Sequence, residues 1–129
     1  KPQTFDSFCW HYDEVEYLPS NTKILSSNEM SSIQSMAFTR DKSEIWAVQY
    51  HPEFDPKWIS GLMKQRKSLL LKEGIYKSHK KFDQVCSFLS NIEKNKDKKK
   101  YLSISDTLIN NEIHTLEISN WLNNLMNNI

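Results

Sequence analysis

The sequence predicts an α/β fold with two textures, and three observations carry that reading. Residues 4–50 break into short strand-like runs separated by turns, and the pattern switches to helical spacing at Pro56. The run Ile45-Trp46-Ala47-Val48-Gln49-Tyr50 is apolar almost throughout, as in a strand covered on both faces. Such a strand needs packed layers on both sides, yet helices only follow it. The stretch is therefore expected to be part of a domain whose other layer lies before Lys1. The opening Lys1-Pro2-Gln3 agrees, because it has no Met and no basic-then-apolar leader and runs straight into strand-like sequence.

Strands are expected at Phe5 to Trp10, Lys23 to Ser26, Ile33 to Thr39 and Ile45 to Tyr50. Leu18-Pro19-Ser20-Asn21 and Arg40-Asp41-Lys42-Ser43 read as turns, the second suited to a hairpin. Asp55-Pro56 starts a helix, with a capping carboxylate followed by a proline whose fixed φ suits the first helical position. Trp58, Ile59, Leu62, Met63, Leu69 and Leu70 form its apolar stripe, which ends near Gly74. Ser78 caps a second helix carrying Phe82, Val85, Cys86, Leu89 and Ile92 on one face. A charged linker from Asn95 to Lys100 and a helical turn from Ser105 to Ile109 lead to a last helix, about Asn111 to Asn128, with Ile118, Trp121, Leu122, Leu125 and Ile129 on one side. The aromatics Trp58 and Trp121 are read as core, and His79 and His114, in polar helical surroundings, as solvated.

Composition narrows the function classes. Across 129 residues, 17 Lys and Arg stand against 16 Asp and Glu, so a net charge of +1 gives no basis for nucleic acid or an anionic membrane as partner. The run of Lys94, Lys96, Lys98, Lys99 and Lys100, broken by Asn95 and Asp97, reads as a solvated linker. Hydrophobic residues at 38% exclude a disordered chain, and no apolar run approaches the ~20 residues of a membrane span. The two cysteines, Cys9 and Cys86, make no disulfide scaffold and suit a reducing, cytoplasmic setting. With two glycines, Gly61 and Gly74, the stretch has no glycine-rich phosphate loop.

Two segments carry chemistry. Val48-Gln49-Tyr50-His51-Pro52-Glu53 sets a His and a Glu two apart at the end of a strand. In extended backbone such residues project to one side, and Pro52 stiffens the pair. A carboxylate accepting from one imidazole nitrogen leaves the other as a base. The same residues also suit a turn histidine beside a helix-capping acid. The second segment, Cys9-Trp10-His11-Tyr12-Asp13-Glu14-Val15-Glu16-Tyr17-Leu18-Pro19, reads by itself as a strand end with Asp13 as a cap.

Taken together, His-x-Asp-x-Val-x-x-Leu-Pro, two short strands, then Val-Gln-Tyr-His-Pro-Glu-Phe resembles the class I glutamine amidotransferases over about Phe5 to Asp55. The stand-alone members that are similar to the amidotransferase domain of GMP synthase are nearest, and the tail Glu117-Ile118-Ser119-Asn120-Trp121-Leu122 is similar to theirs. The resemblance implies a flavodoxin-like α/β sandwich, of which residues 1–55 supply the C-terminal half and residues 56–129 a helical extension packed on the same domain. It also implies a Cys-His-Glu triad that hydrolyses the glutamine side-chain amide to glutamate and ammonia through a thioester. His51 matches the base and Glu53 the acid that orients it. Trp10, His11 and Tyr12 match the segment whose backbone holds the two charged ends of glutamine, with Gln34 supporting the site from behind.

The nucleophile is the departure. The family carries it in a Gly-x-Cys-x-Gly turn, where small neighbours permit a strained elbow. Cys9 is wedged between Phe8 and Trp10, and Cys86 falls mid-helix on an apolar face. The nucleophile and the oxyanion hole are therefore expected upstream, and this stretch alone is expected to be inactive. The pairs His11-x-Asp13 and His51-x-Glu53 also have the makings of metal ligands, but the family pattern accounts for both, and it implies no metal and no cofactor. Two further readings stay open, a γ-glutamyl hydrolase sharing the triad and a catalytically dead relative that binds a partner. The expected partner is a small molecule, glutamine or a γ-glutamyl compound, with a separate synthetase subunit to accept the ammonia or none, the ammonia then being released.

Overall fold

The computed structural model describes residues 3–98 and 103–127. Its architecture is mixed α/β, consistent with part of the flavodoxin-like sandwich that the resemblance implies. The chain divides into two compact units. One comprises residues 7–52 and the segment from 116 on; the other comprises residues up to Asp6 together with 53–115.

The first unit holds the strands. β1 (Phe8–Cys9) pairs antiparallel with β5 (Tyr50–His51), in the register Phe8 to His51 and Cys9 to Tyr50. β2 (Lys23–Ser26), β3 (Ser35–Arg40) and β4 (Ser43–Val48) form a second, antiparallel sheet in that order. The expected turns are both present. Arg40 faces Ser43 across a tight hairpin in which Asp41 takes φ 56°, a left-handed conformation that a short polar side chain tolerates. Asn21 does the same at φ 61°, and the Thr22 hydroxyl closes that turn on the Pro19 carbonyl at 2.6 Å.

Two strand expectations change. The run Ile45–Tyr50 is not one strand: it bends at Gln49, whose backbone N–H bonds to the Gln34 carbonyl at 2.8 Å, and Tyr50 passes to the other sheet. Nor is it covered on both faces, since Trp46 is 37% and Val48 44% exposed. Among the described residues β4 is an edge strand of a three-stranded sheet, and the layers of this unit do not cover both of its sides.

α6 (Leu116–Asn127, the sixth α-helix among the described residues) completes this unit. The helix expected from Asn111 to Asn128 is interrupted at Thr115, where the backbone leaves α geometry (φ −93°, ψ 11°). The stripe Ile118, Trp121, Leu122 and Leu125 is partly open, and Trp121, expected in the core, is 40% exposed. Asn128 and Ile129 lie outside the described residues.

The second unit is helical. α1 (Pro56–Gln65) is capped by Asp55, whose carboxylate accepts from the Trp58 N–H at 2.6 Å. The helix expected to run to Gly74 breaks at Arg66 (φ −102°, ψ 12°), and α2 (Lys67–Lys72) continues to Gly74 at φ 74°, a left-handed stop that glycine adopts without strain. α3 (His79–Ser90) is capped by Ser78 as expected and packs on α1. The contact works because Ser60 is small and fully buried: its hydroxyl donates to the Cys86 carbonyl at 2.8 Å and lies 2.8 Å from the Ser90 hydroxyl. Ile59, Met63, Phe82, Cys86 and Leu89 fill the core around it. The expected linker is a 3-10 segment, Ile92–Lys98, kinked at Asn95; Lys94 is exposed, while Lys99 and Lys100 lie outside the described residues. α4 (Asp106–Ile109) is tied to the start of the chain, with the Asp6 carboxylate accepting from the Ser105 N–H at 3.0 Å. In α5 (Asn111–His114), His114 is 2% exposed rather than solvated, because it closes a short helix whose inner side is core; His79 is exposed. Trp58, also expected in the core, is 51% exposed and stacks on Phe54 at 4.0 Å.

Candidate functional site

The β1–β5 ladder organises the residues singled out by sequence. His51 ends β5, half-buried, directly opposite Phe8. β1 ends one residue before Trp10, and continuing the register sets Trp10 level with Gln49. The Trp10-His11-Tyr12 segment therefore leaves the ladder two to three steps along from His51, at about 3.3 Å per residue. Two hydrogen bonds to one carbonyl fix how it leaves. The Asp13 oxygen accepts from Gln49 Nε2 at 3.1 Å and lies 2.8 Å from His11 Nδ1. Trp10 is half-buried, while His11 and Tyr12 are exposed at the surface of this unit.

Glu53 is placed differently from the extended-backbone expectation. The strand stops at His51, Pro52 and Glu53 form a turn, and Glu53 is exposed there as part of the helical unit. Strand alternation therefore does not set the His51–Glu53 pair.

Neither thiol has the setting of an activated nucleophile. Cys9, on β1, is exposed as a residue, but its Sγ lies in a part-buried contact 3.8 Å from Gln34 Oε1, and that partial burial pushes its pKa up. Cys86 is 1% exposed, and burial likewise raises its pKa, with the Lys64 charge and Ser60 acting weakly the other way. A raised pKa lowers the thiolate fraction, and the thiolate is the nucleophile. Gln34 is buried at 4% exposure between the two sheets' ends: its carbonyl receives Gln49 and its side chain meets Cys9. Among the described residues no group of three or more His, Cys, Asp or Glu side chains is placed to hold a metal ion.

The structure adds one contact that sequence reasoning did not anticipate. Tyr50, 6% exposed, donates its phenol to Glu117 Oε1 at 2.7 Å, joining the residue before His51 to the first turn of α6 across 67 positions of sequence. Burial, then the Glu117 hydrogen bond and charge, push the phenol pKa well above its ordinary value, while Ser35 and Ser26 oppose this weakly. The signal available in sequence was a tyrosine on a strand read as buried, beside the candidate histidine, since a buried phenol needs a partner. It does not say which residue supplies one.

Comparisons with known proteins place the chain in a family. A gamma-glutamyl-L-1-hydroxyisopropylamide hydrolase from Pseudomonas sp is 28% identical over 126 residues, covering 95% of this chain and 42% of that protein. The chain thus spans less than half the length of the curated relative it matches. No solved structure matches it. The family model of glutamine amidotransferase class-I matches residues 1–66, from before β1 through the whole of α1. That span takes in the β1–β5 ladder, His51, Glu53 and the Trp10–Tyr12 segment and exceeds half of the chain, so the chain belongs to the class-I glutamine amidotransferase family.

Proposed function

We propose that the protein of which this chain is part hydrolyses a γ-glutamyl amide, with glutamine as the simplest substrate, through a Cys-His-Glu triad to which this chain contributes His51 and Glu53. The observation that supports the reading is the pairing of β1 with β5 inside the family match, because the Trp10–Tyr12 segment begins one residue past β1 and His51 ends the partner strand β5. The thiolate, in a Gly-x-Cys-x-Gly turn upstream of this chain, attacks the γ-carbonyl carbon. His51 takes the thiol proton and delivers it to the departing nitrogen as the C–N bond breaks, leaving a thioester. Water then adds, His51 accepting its proton, and glutamate is released. Glu53 orients the imidazole and stabilises its charged form. Trp10, His11 and Tyr12 hold the α-amino and α-carboxylate ends of the substrate through their backbone. Residues 56–129 form a helical extension of the same amidotransferase domain in this reading.

A second reading of substrate is favoured by the Pseudomonas relative, whose name describes hydrolysis of a substituted γ-glutamyl amide. Both substrates present the same carbonyl and differ in the leaving nitrogen, ammonia or an amine. With glutamine, a separate synthetase subunit takes the ammonia or it is released. Among the described residues no helix is long and apolar enough to cross a membrane. The free thiols Cys9 and Cys86 support a cytoplasmic setting. The test is to express the full reading frame and measure glutamate release from glutamine and from N-alkyl γ-glutamyl amides. Turnover of either supports the reading, their ratio assigns the leaving group, and turnover of neither indicates a catalytically dead relative.

A further inference from the structure

We infer that Glu117 is a positioning residue for His51, anchoring β5 through the Tyr50 phenol; the inference rests on the reading of His51 as the catalytic base. β5 is two residues long and, among the described residues, pairs with the equally short β1. Successive strand residues leave by opposite faces, so the face behind His51 is where an anchor acts. Tyr50 occupies that face and is buried.

The anchor has three parts. The Tyr50 hydroxyl donates to Glu117 Oε1 at 2.7 Å, and the Ser26 and Ser35 hydroxyls of β2 and β3, themselves 2.5 Å apart, act on it from their side. A phenol donating to a carboxylate makes one of the stronger side-chain hydrogen bonds. Glu117 stands in the first turn of α6, where the helix dipole favours a negative charge. The tail helix therefore fixes the strand end that carries His51, a role distinct from contact with substrate. Loss of the anchor lets the imidazole drift. A misplacement of ~1 Å at a reacting group costs up to about 100-fold in rate.

The test uses the intact protein with Glu117→Ala, Glu117→Gln and Tyr50→Phe, read by kinetics and by the NMR signals of the His51 ring. Glu117→Ala is expected to lower kcat about 10–100-fold with KM within about two-fold, because substrate is held by the Trp10–Tyr12 segment. Glu117→Gln keeps an acceptor oxygen and recovers most of the loss. Tyr50→Phe matches Glu117→Ala, and the double variant is no worse than either single one. The His51 ring signals broaden or double in Glu117→Ala, while those of the exposed His79 stay as they were. Unchanged His51 signals in Glu117→Ala overturn the inference. So does equal damage in Glu117→Gln and Glu117→Ala with KM and thermal stability affected alike, which marks a general folding role. If the wild-type protein turns over no γ-glutamyl amide, the functional reading fails while the ring signals still decide the positioning.

Discussion

Replacing Tyr50 with Phe removes one oxygen and keeps the ring, so its cost isolates the hydrogen bond. The phenol is 6% exposed and donates to Glu117 at 2.7 Å. A hydrogen bond to a charged acceptor contributes about 1.5–3 kcal/mol. Glu117 is half-buried, so water regains part of its carboxylate when the partner goes, and the net loss is expected at about 1–2 kcal/mol. Urea denaturation at neutral pH reads it as a lower midpoint with an unchanged slope. The pH dependence supplies a second, sharper signature. The folded-state pKa of Tyr50 is raised, so the folded chain keeps the phenol proton in a range where the unfolded chain, with an ordinary value of about 10, releases it. The contribution is complete below about pH 10 and declines as pH rises further, by at most ~1.4 kcal/mol per pH unit. The Phe variant lacks this group, and the two proteins are otherwise identical. The gap between wild type and variant should therefore stay constant up to about pH 10 and narrow from about pH 10 to about pH 11. Equal midpoints at neutral pH, or a gap that stays constant across that range, refute the argument.

Other outcomes follow from the helical unit. Phe82 is fully buried, meets Tyr76 edge-on at 5.3 Å and lies under Lys67 at 5.1 Å; Phe82→Ala is expected to cost about 3–5 kcal/mol by urea denaturation. Asp55→Ala removes the cap on the Trp58 N–H and should cost about 1 kcal/mol, while Asp55→Asn or Asp55→Ser should recover most of it. Cys86 should resist thiol-modifying reagents in the native protein and react at once in urea, because it is buried and its pKa is raised; rapid native labelling contradicts the packing of α1 on α3.

What sequence revealed, and what it did not, follows from the range of the forces involved. Asp55-Pro56 and Ser78 marked two helix starts correctly because capping is settled within four residues. Asp41 marked the β3–β4 hairpin for the same reason. The helix breaks at Arg66 and Thr115 carried no Pro or Gly, so the apolar stripe read straight through them. The exposure of Trp46, Val48, Trp58 and Trp121 depends on which layers are present to cover them, which residue type does not encode. The amidotransferase motif was legible because its residues are bunched at two strand ends; the Tyr50–Glu117 bond was not, because its halves lie 67 residues apart. Reading His51 and Glu53 as i and i+2 of one strand assumed extended backbone where the chain already turns.

The central claim is that His51 is the base of a γ-glutamyl amide hydrolase. The most direct measurement is glutamate release by the protein of the full reading frame, wild type against His51→Ala, on glutamine and an N-alkyl γ-glutamyl amide. The account predicts turnover by wild type and a fall of at least ~1000-fold in His51→Ala with the fold intact by circular dichroism. Turnover that survives in His51→Ala contradicts it.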